Sequence, residues 1–203
     1  MVAPPLRIAV LASGGGTNLQ ALIDKQSDFP EGFLALVLTS RADAYALERA
    51  RQAGIPTAVV VQKDYPVREE FTEEILRILQ KNRIDLVILA GFMFILSPRF
   101  CDVYEGRVVN VHPALIPSFC GKGFYGLRVH QAALDYGVKV TGATVHIVTP
   151  GADEGPILLQ RALDICEDDT PESLQQRVMT ECEHVILPQA VGLLCRRILL
   201  EKS

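Results

Sequence analysis

The sequence predicts a Rossmann-like α/β fold, a mostly parallel sheet with helices on both faces and antiparallel strands towards its C-terminal part. Three observations carry this. Short apolar runs alternate with stretches of helical periodicity from Arg7 to Ala90; the first run breaks on the glycine loop Ser13-Gly14-Gly15-Gly16-Thr17-Asn18; and beyond Val111 a long loop precedes two adjacent strand-like runs.

Arg7 to Ala12 is the first strand, followed by the glycine loop and helical spacing at Leu19, Leu22 and Ile23. Leu34 to Leu38 reads as a second strand, Ala42 to Gly54 as a helix closed by its glycine, and Thr57 to Val61 as a third strand. Val67 to Lys81 carries Phe71, Ile75, Ile78 and Leu79 on one helical face, and Asp85 to Ala90 is another apolar strand. Pro113 to Gly126 is a loop rich in Pro, Gly and aromatics, a length that usually serves function. Val140 to Val148 and Ile157 to Leu163 resemble paired antiparallel strands. Thr170-Pro171 then opens a helical stretch that runs to about Leu200 with a kink expected at Pro188.

Length and composition frame the function. The 203 residues suit a single domain spanning 1–203, and 49% apolar with 22% charged residues suits a globule. A net charge of -4 offers no positive field for nucleic acid or an anionic membrane, so neither is expected as a partner. Five scattered cysteines without a Cys-x-x-Cys pair imply reduced thiols, hence a cytoplasmic location, and no metal site. The start, Met1 to Pro5, has no leader pattern, and no run reaches the ~18 apolar residues that span a bilayer.

Three places can do chemistry. The glycine loop lies between strand and helix, where free N–H groups and the helix dipole attract a phosphate. A dinucleotide fingerprint fails there because Leu19 occupies the third glycine position and Arg41 follows the second strand, which leaves a single-phosphate cradle or a plain tight turn. Asn110-Val111-His112-Pro113 ends a strand whose alternation puts the amide and imidazole on one side, suited to an oxyanion, although a structural histidine beside a turn-forming Asn fits too. Asp153, in the turn Pro150 to Pro156, is able to meet His112 and favour its charged form, or merely to cap the turn. For His130 and His146, on a helix and a strand, packing is a sufficient explanation.

The spaced set SGGGTN, AGFMFILS, NVHPALIP and ADEGPILLQ closely resembles the glycinamide ribonucleotide formyltransferase family over nearly the whole chain. The resemblance implies formyl transfer from 10-formyltetrahydrofolate, as co-substrate, to the amine of glycinamide ribonucleotide in de novo purine biosynthesis, with no metal. It implies a catalytic trio of Asn110, protonated His112 and Asp153. Gly16, Thr17, Asn18 and Glu183 would hold the phosphoribosyl group. Arg68, Met93, Phe94, Ile95, Leu96, Asn110, Thr149, Pro150, Gly151, Ala152 and Asp153 would line the folate pocket. The expected assembly is a monomer or homodimer. The chain departs from the family in Arg128, where many relatives have histidine, in the long loop Ser118 to Gly126, and in one extra residue before Glu183. Rival readings are a formyl-folate hydrolase or another formyltransferase of the superfamily, a non-catalytic phosphoribosyl-ligand binding protein, and a small NADP reductase.

Overall fold

A computed structural model describes residues 4–201; Met1 to Ala3, part of the stretch read for a leader, lie outside the described residues. The sheet has seven strands in the order β3-β2-β1-β4-β5-β6-β7. They are β1 Leu6–Ala12, β2 Gly32–Thr39, β3 Thr57–Val59, β4 Leu86–Leu89, β5 Val108–His112, β6 Val140–Ile147 and β7 Ile157–Asp164. The first five run parallel, while β6 pairs antiparallel with β5 and β7 with β6, as the sequence predicts.

Strand alternation divides the core in two. Ile8 and Val10 of β1 join Val109 and Val111 of β5 on one face, under helices α1 (Thr17–Asp24) and α7 (His184–Glu201). Ala9 and Leu11 join Val87 and Leu89 on the other, under α3 (Arg68–Lys81) and α4 (Pro98–Val103). Because β5 contributes its valines 109 and 111 to the first face, Asn110 and His112 are turned to the other side, at the carboxyl end of the strand. The order of strands reverses between β1 and β4, and open sheets of this kind form their ligand crevice at that point.

Two helices differ from the sequence expectation. The helix predicted from Ala42 begins only at Ala46, as α2 (Ala46–Gln52). The Ala46 N–H is taken by the Gly14 carbonyl at 3.1 Å, so the chain before it turns to meet the glycine loop and cannot continue the helix backwards. The C-terminal stretch is not one kinked helix. It runs as α6 (Pro171–Arg177), opened by a reciprocal Thr170–Ser173 capping box, then a π-helical turn over Val178–Glu183, then α7 with Pro188 inside it. A π turn takes up one residue more than an α turn. The remaining helix, α5 (Leu127–Tyr136), follows the long loop and ends on left-handed Gly137.

Candidate active site

A cleft of about 460 Å³ opens along the carboxyl ends of β1, β4 and β5. At one end lie Thr17, Asn18 and Glu183; at the other Met93, Phe94, Ile95 and Leu96 with Thr149, Gly151 and Ala152; between them are Asn110, His112 and Asp153. Residues that sequence reading drew from five separate segments, though not Gly16, Arg68 or Pro150, therefore surround one space.

The glycine loop forms the polar end. Gly16 adopts a left-handed φ of 69° at the start of α1, and a Cβ there would come within 2.8 Å of the Ala46 Cβ. It supports the loop from behind and does not itself line the cleft. Gly14 and Gly15 have open space where a side chain would be, and α1 has no side-chain cap, so its first N–H groups are left for a ligand. Arg49 of α2, unremarked in the sequence, donates through Nε to the Gly15 carbonyl at 2.8 Å and brings a cation beside the loop. Asn18 Nδ2 donates to Glu183 Oε2 at 2.7 Å, and the buried Asn18 Oδ1 has no protein partner. Burial pushes the Glu183 carboxyl above its usual range, against the opposing pull of the Asn18 hydrogen bond. Asn18 of α1 and Glu183 of the π turn thus meet at this end of the cleft, where a carboxyl oxygen suits hydroxyl donors.

The centre is built by antiparallel pairing. Asn110 lies opposite His146 and His112 opposite Thr144 in the β5–β6 register. His146 Nδ1 is 2.9 Å from the Ile147 carbonyl, which only accepts, so this nitrogen carries the proton and Nε2 accepts from Asn110 Nδ2 at 3.2 Å. The Asn110 amide is fixed in orientation with its second N–H free. Asp153 Oδ1 lies 3.5 Å from the same His146 Nε2, and its Oδ2 lies 3.6 Å from His112 Nδ1 while accepting from the Gly121 N–H at 2.9 Å. His146 is thus a fourth member of the cluster, and the expectation that packing explains it is corrected: its ring bridges the amide and the carboxylate. Alternation along β6 puts His146 on the Thr144 side, but only the register with β5 reveals the partner.

Asp153 holds a left-handed φ of 58°, a conformation an aspartate tolerates better than most residues and one that aims its carboxylate inward. Burial alone would raise this carboxyl, but the hydrogen bond from the Gly121 N–H and the two neighbouring imidazoles hold it below the usual carboxylate range. His112 is lowered, not raised. Its ring is only 4% exposed, and desolvation outweighs the attraction of Asp153. Burial thus works against the expected standing imidazolium, and Nε2–H donates to the Phe119 carbonyl at 2.8 Å.

The apolar end is lined as predicted by the segment 93–96, with Met93 and Ile95 about half exposed to the cleft and Phe94 edge-on to Phe71 and Phe92. Two residues assigned there lie elsewhere. Arg68 is exposed at the start of α3, ion-paired with Glu69 at 2.9 Å, and Pro150 is exposed on the outer side of its turn; neither lines the cleft. Gly121 to Gly126 of the long loop form one wall, and Arg128 stacks on Tyr125 of that wall at 4.9 Å from the ring centroid. His130 of α5 is fully buried in the same wall, with neither ring nitrogen paired to protein, and burial lowers it to about 4.

All five cysteines are free, and among the described residues no helix is long and apolar enough to cross a membrane. Known proteins similar to this chain share both its sequence and its shape. Phosphoribosylglycinamide formyltransferase of Escherichia coli (strain K12) is 40% identical over 188 residues, covering 92% of this chain and 86% of that protein. The trifunctional purine biosynthetic protein adenosine-3 of Drosophila melanogaster is 44% identical over 191 residues, 93% of this chain, which spans only 14% of that protein's length. The crystal structure of glycinamide ribonucleotide transformylase 1 from Symbiobacterium toebii matches with a TM-score of 0.88 and 44% identity, covering 95% of this chain and 89% of that one. The formyl transferase family model matches residues 6–191, and with it the strand ends and turns that build the cleft: the chain belongs to the formyl transferase family.

Proposed function

We propose that this protein transfers the formyl group of 10-formyltetrahydrofolate to the amine of glycinamide ribonucleotide, a step of purine biosynthesis carried out in the cytoplasm. The observation that carries the reading is the convergence of Asn110, His112 and Asp153 between a phosphate-type loop and an apolar pocket, so that a phosphoribosyl amine and a formyl-folate meet at one carbon. The glycine loop with Thr17 and Asn18 takes the phosphate. Glu183 and Asn18 Oδ1 accept from ribose hydroxyls. The segment 93–96 and the turn at Thr149 to Asp153 receive the flat folate ring.

The reaction is direct. The amine nitrogen bonds to the formyl carbon, and the carbonyl electrons move onto oxygen, where the free Asn110 N–H and the His112 Nε2–H donate to the oxyanion. Asp153 beside Nδ1 holds the imidazole in place through this step. Asp153, through a water, carries the proton lost by the attacking nitrogen to the folate nitrogen as its bond to carbon breaks. A neutral imidazole is sufficient to donate, so the lowered His112 is compatible with this role.

Loss of one oxyanion donor typically costs about 100- to 1,000-fold in turnover. Asn110→Ala and Asp153→Ala are expected to lose most transfer activity while retaining a wild-type circular dichroism spectrum and melting profile. Near-normal turnover in either would overturn its role. A formyl-folate hydrolase is separated by the same assay: release of folate with and without glycinamide ribonucleotide, where release independent of the amine favours hydrolysis. Ligand binding with no transfer under any condition favours a non-catalytic binding protein.

A further inference from the structure

We infer that Lys25 is a positioning residue for Glu183, acting by supplying the hydrogen bond that Pro188 withholds from the His184 carbonyl. The inference rests on the reading of Glu183 as a contact to the ribonucleotide.

Pro188 lies inside α7, where a residue of any other type would donate its N–H to the carbonyl four residues earlier, that of His184. Lys25 Nζ donates there instead, at 2.9 Å. His184 is the first residue of α7 and follows directly on the π turn that ends with Glu183. Lys25 caps the C-terminus of α1, the same helix whose first turn carries Asn18. Seven residues separate Asn18 from Lys25, two helical turns or about 10 Å, so both side chains leave one face of α1. That helix therefore grips two consecutive residues: the Glu183 carboxylate through Asn18 and the His184 carbonyl through Lys25.

The grip has a purpose because a π turn is a wide turn that moves along a helix in steps of one residue. One such step rotates a side chain by about 100° around the axis. Applied to Glu183, it would carry the carboxylate out of the cleft and away from Asn18. Tying down the carbonyl next to the wide turn fixes its position. Lys25 does not act as a charge on the carboxylate, whose perturbation comes from burial and Asn18.

The test is Lys25→Met, which keeps the aliphatic stem and removes the donor, assayed beside Lys25→Arg and the double variant Lys25→Met/Pro188→Ala. The double variant restores at position 188 the N–H that proline lacks. Lys25→Met is expected to raise the KM for glycinamide ribonucleotide about tenfold, the scale of one charge-assisted hydrogen bond, with the KM for formyl-folate and kcat unchanged. Lys25→Arg and the double variant are expected to recover the wild-type KM. Amide hydrogen exchange over residues 183–188 gives a readout free of substrate, faster in Lys25→Met and slowed again in the double variant. An unchanged ribonucleotide KM, an equal loss for both substrates, or a double variant no better than Lys25→Met overturns the inference. If Glu183→Gln binds ribonucleotide normally, the substrate role of Glu183 fails, and the exchange rates alone then decide whether Lys25 holds the turn.

Discussion

Of the residues at the centre of the cleft, His146 has the most to say about how the others work. Its Nδ1 is committed to the Ile147 carbonyl, and its Nε2 meets the Asn110 amide. Replacing it with leucine keeps most of the volume, removes the acceptor and frees Asn110 to rotate. His146→Leu is expected to lower kcat about 10- to 100-fold with little change in either KM, the range of one or two lost positioning hydrogen bonds. Steady-state kinetics with both substrates checks this, and a wild-type kcat would mean that Asn110 needs no anchor. In the sequence His146 is one histidine in an apolar strand, indistinguishable from a packed one, because its meaning lies in a partner 36 residues away. Asn110 and His112 were legible because their two-residue spacing at a strand end shows a shared face without knowledge of any partner.

Among the elements, the glycine loop and α2 are built as one unit. Ala46 fills the space a side chain at Gly16 would need, the Gly14 carbonyl accepts from the Ala46 N–H, and Arg49 donates to the Gly15 carbonyl. A methyl group at Gly16 has nowhere to go except into α2, and its backbone angle disfavours any side chain. Gly16→Ala is expected to cost about 1–3 kcal/mol of stability, the usual scale of overpacking, and to raise the KM for ribonucleotide more than that for formyl-folate. Urea denaturation and paired Michaelis curves measure the two effects, and an unchanged midpoint would show that α2 yields freely. The helix boundary that sequence missed has the same origin. Ala42 to Ala44 has good helical propensity, but propensity is local and the loop that intercepts Ala46 lies some thirty residues earlier in the chain. The π turn was hidden for a related reason: nothing in the run Val178 to Glu183 distinguishes it from an α-helix, and only its packing against α1 and the sheet fixes the wider spacing.

For the whole molecule, titration gives a measurable signature. His130 is lowered to about 4 by burial, and His112 and His184 are lowered as well, burial again being the main cause. Each binds its proton more readily in the unfolded chain. The stability their neutral forms allow is thus complete above the ordinary histidine value near 6.5 and falls as pH drops towards 4. Glu183 has the opposite sign, because its raised carboxyl takes up a proton more readily when folded. The clean observable is therefore a difference: melting temperatures of the wild type and His130→Leu, scanned from pH 7.5 to 4.5, are expected to show a shallower acid decline in the variant. Parallel curves would remove His130 as a source of the slope. The alternation and direction of the strands were readable from the apolar runs and their interruptions, whereas these burial effects depend on three-dimensional enclosure that no linear pattern records. Enclosure also bears on economy. The His112 hydrogen that would polarise a formyl group is already given to the Phe119 carbonyl, and one hydrogen cannot serve two strong acceptors at full strength. The Phe119 carbonyl must therefore give up that hydrogen before the imidazole can donate it in full to another acceptor.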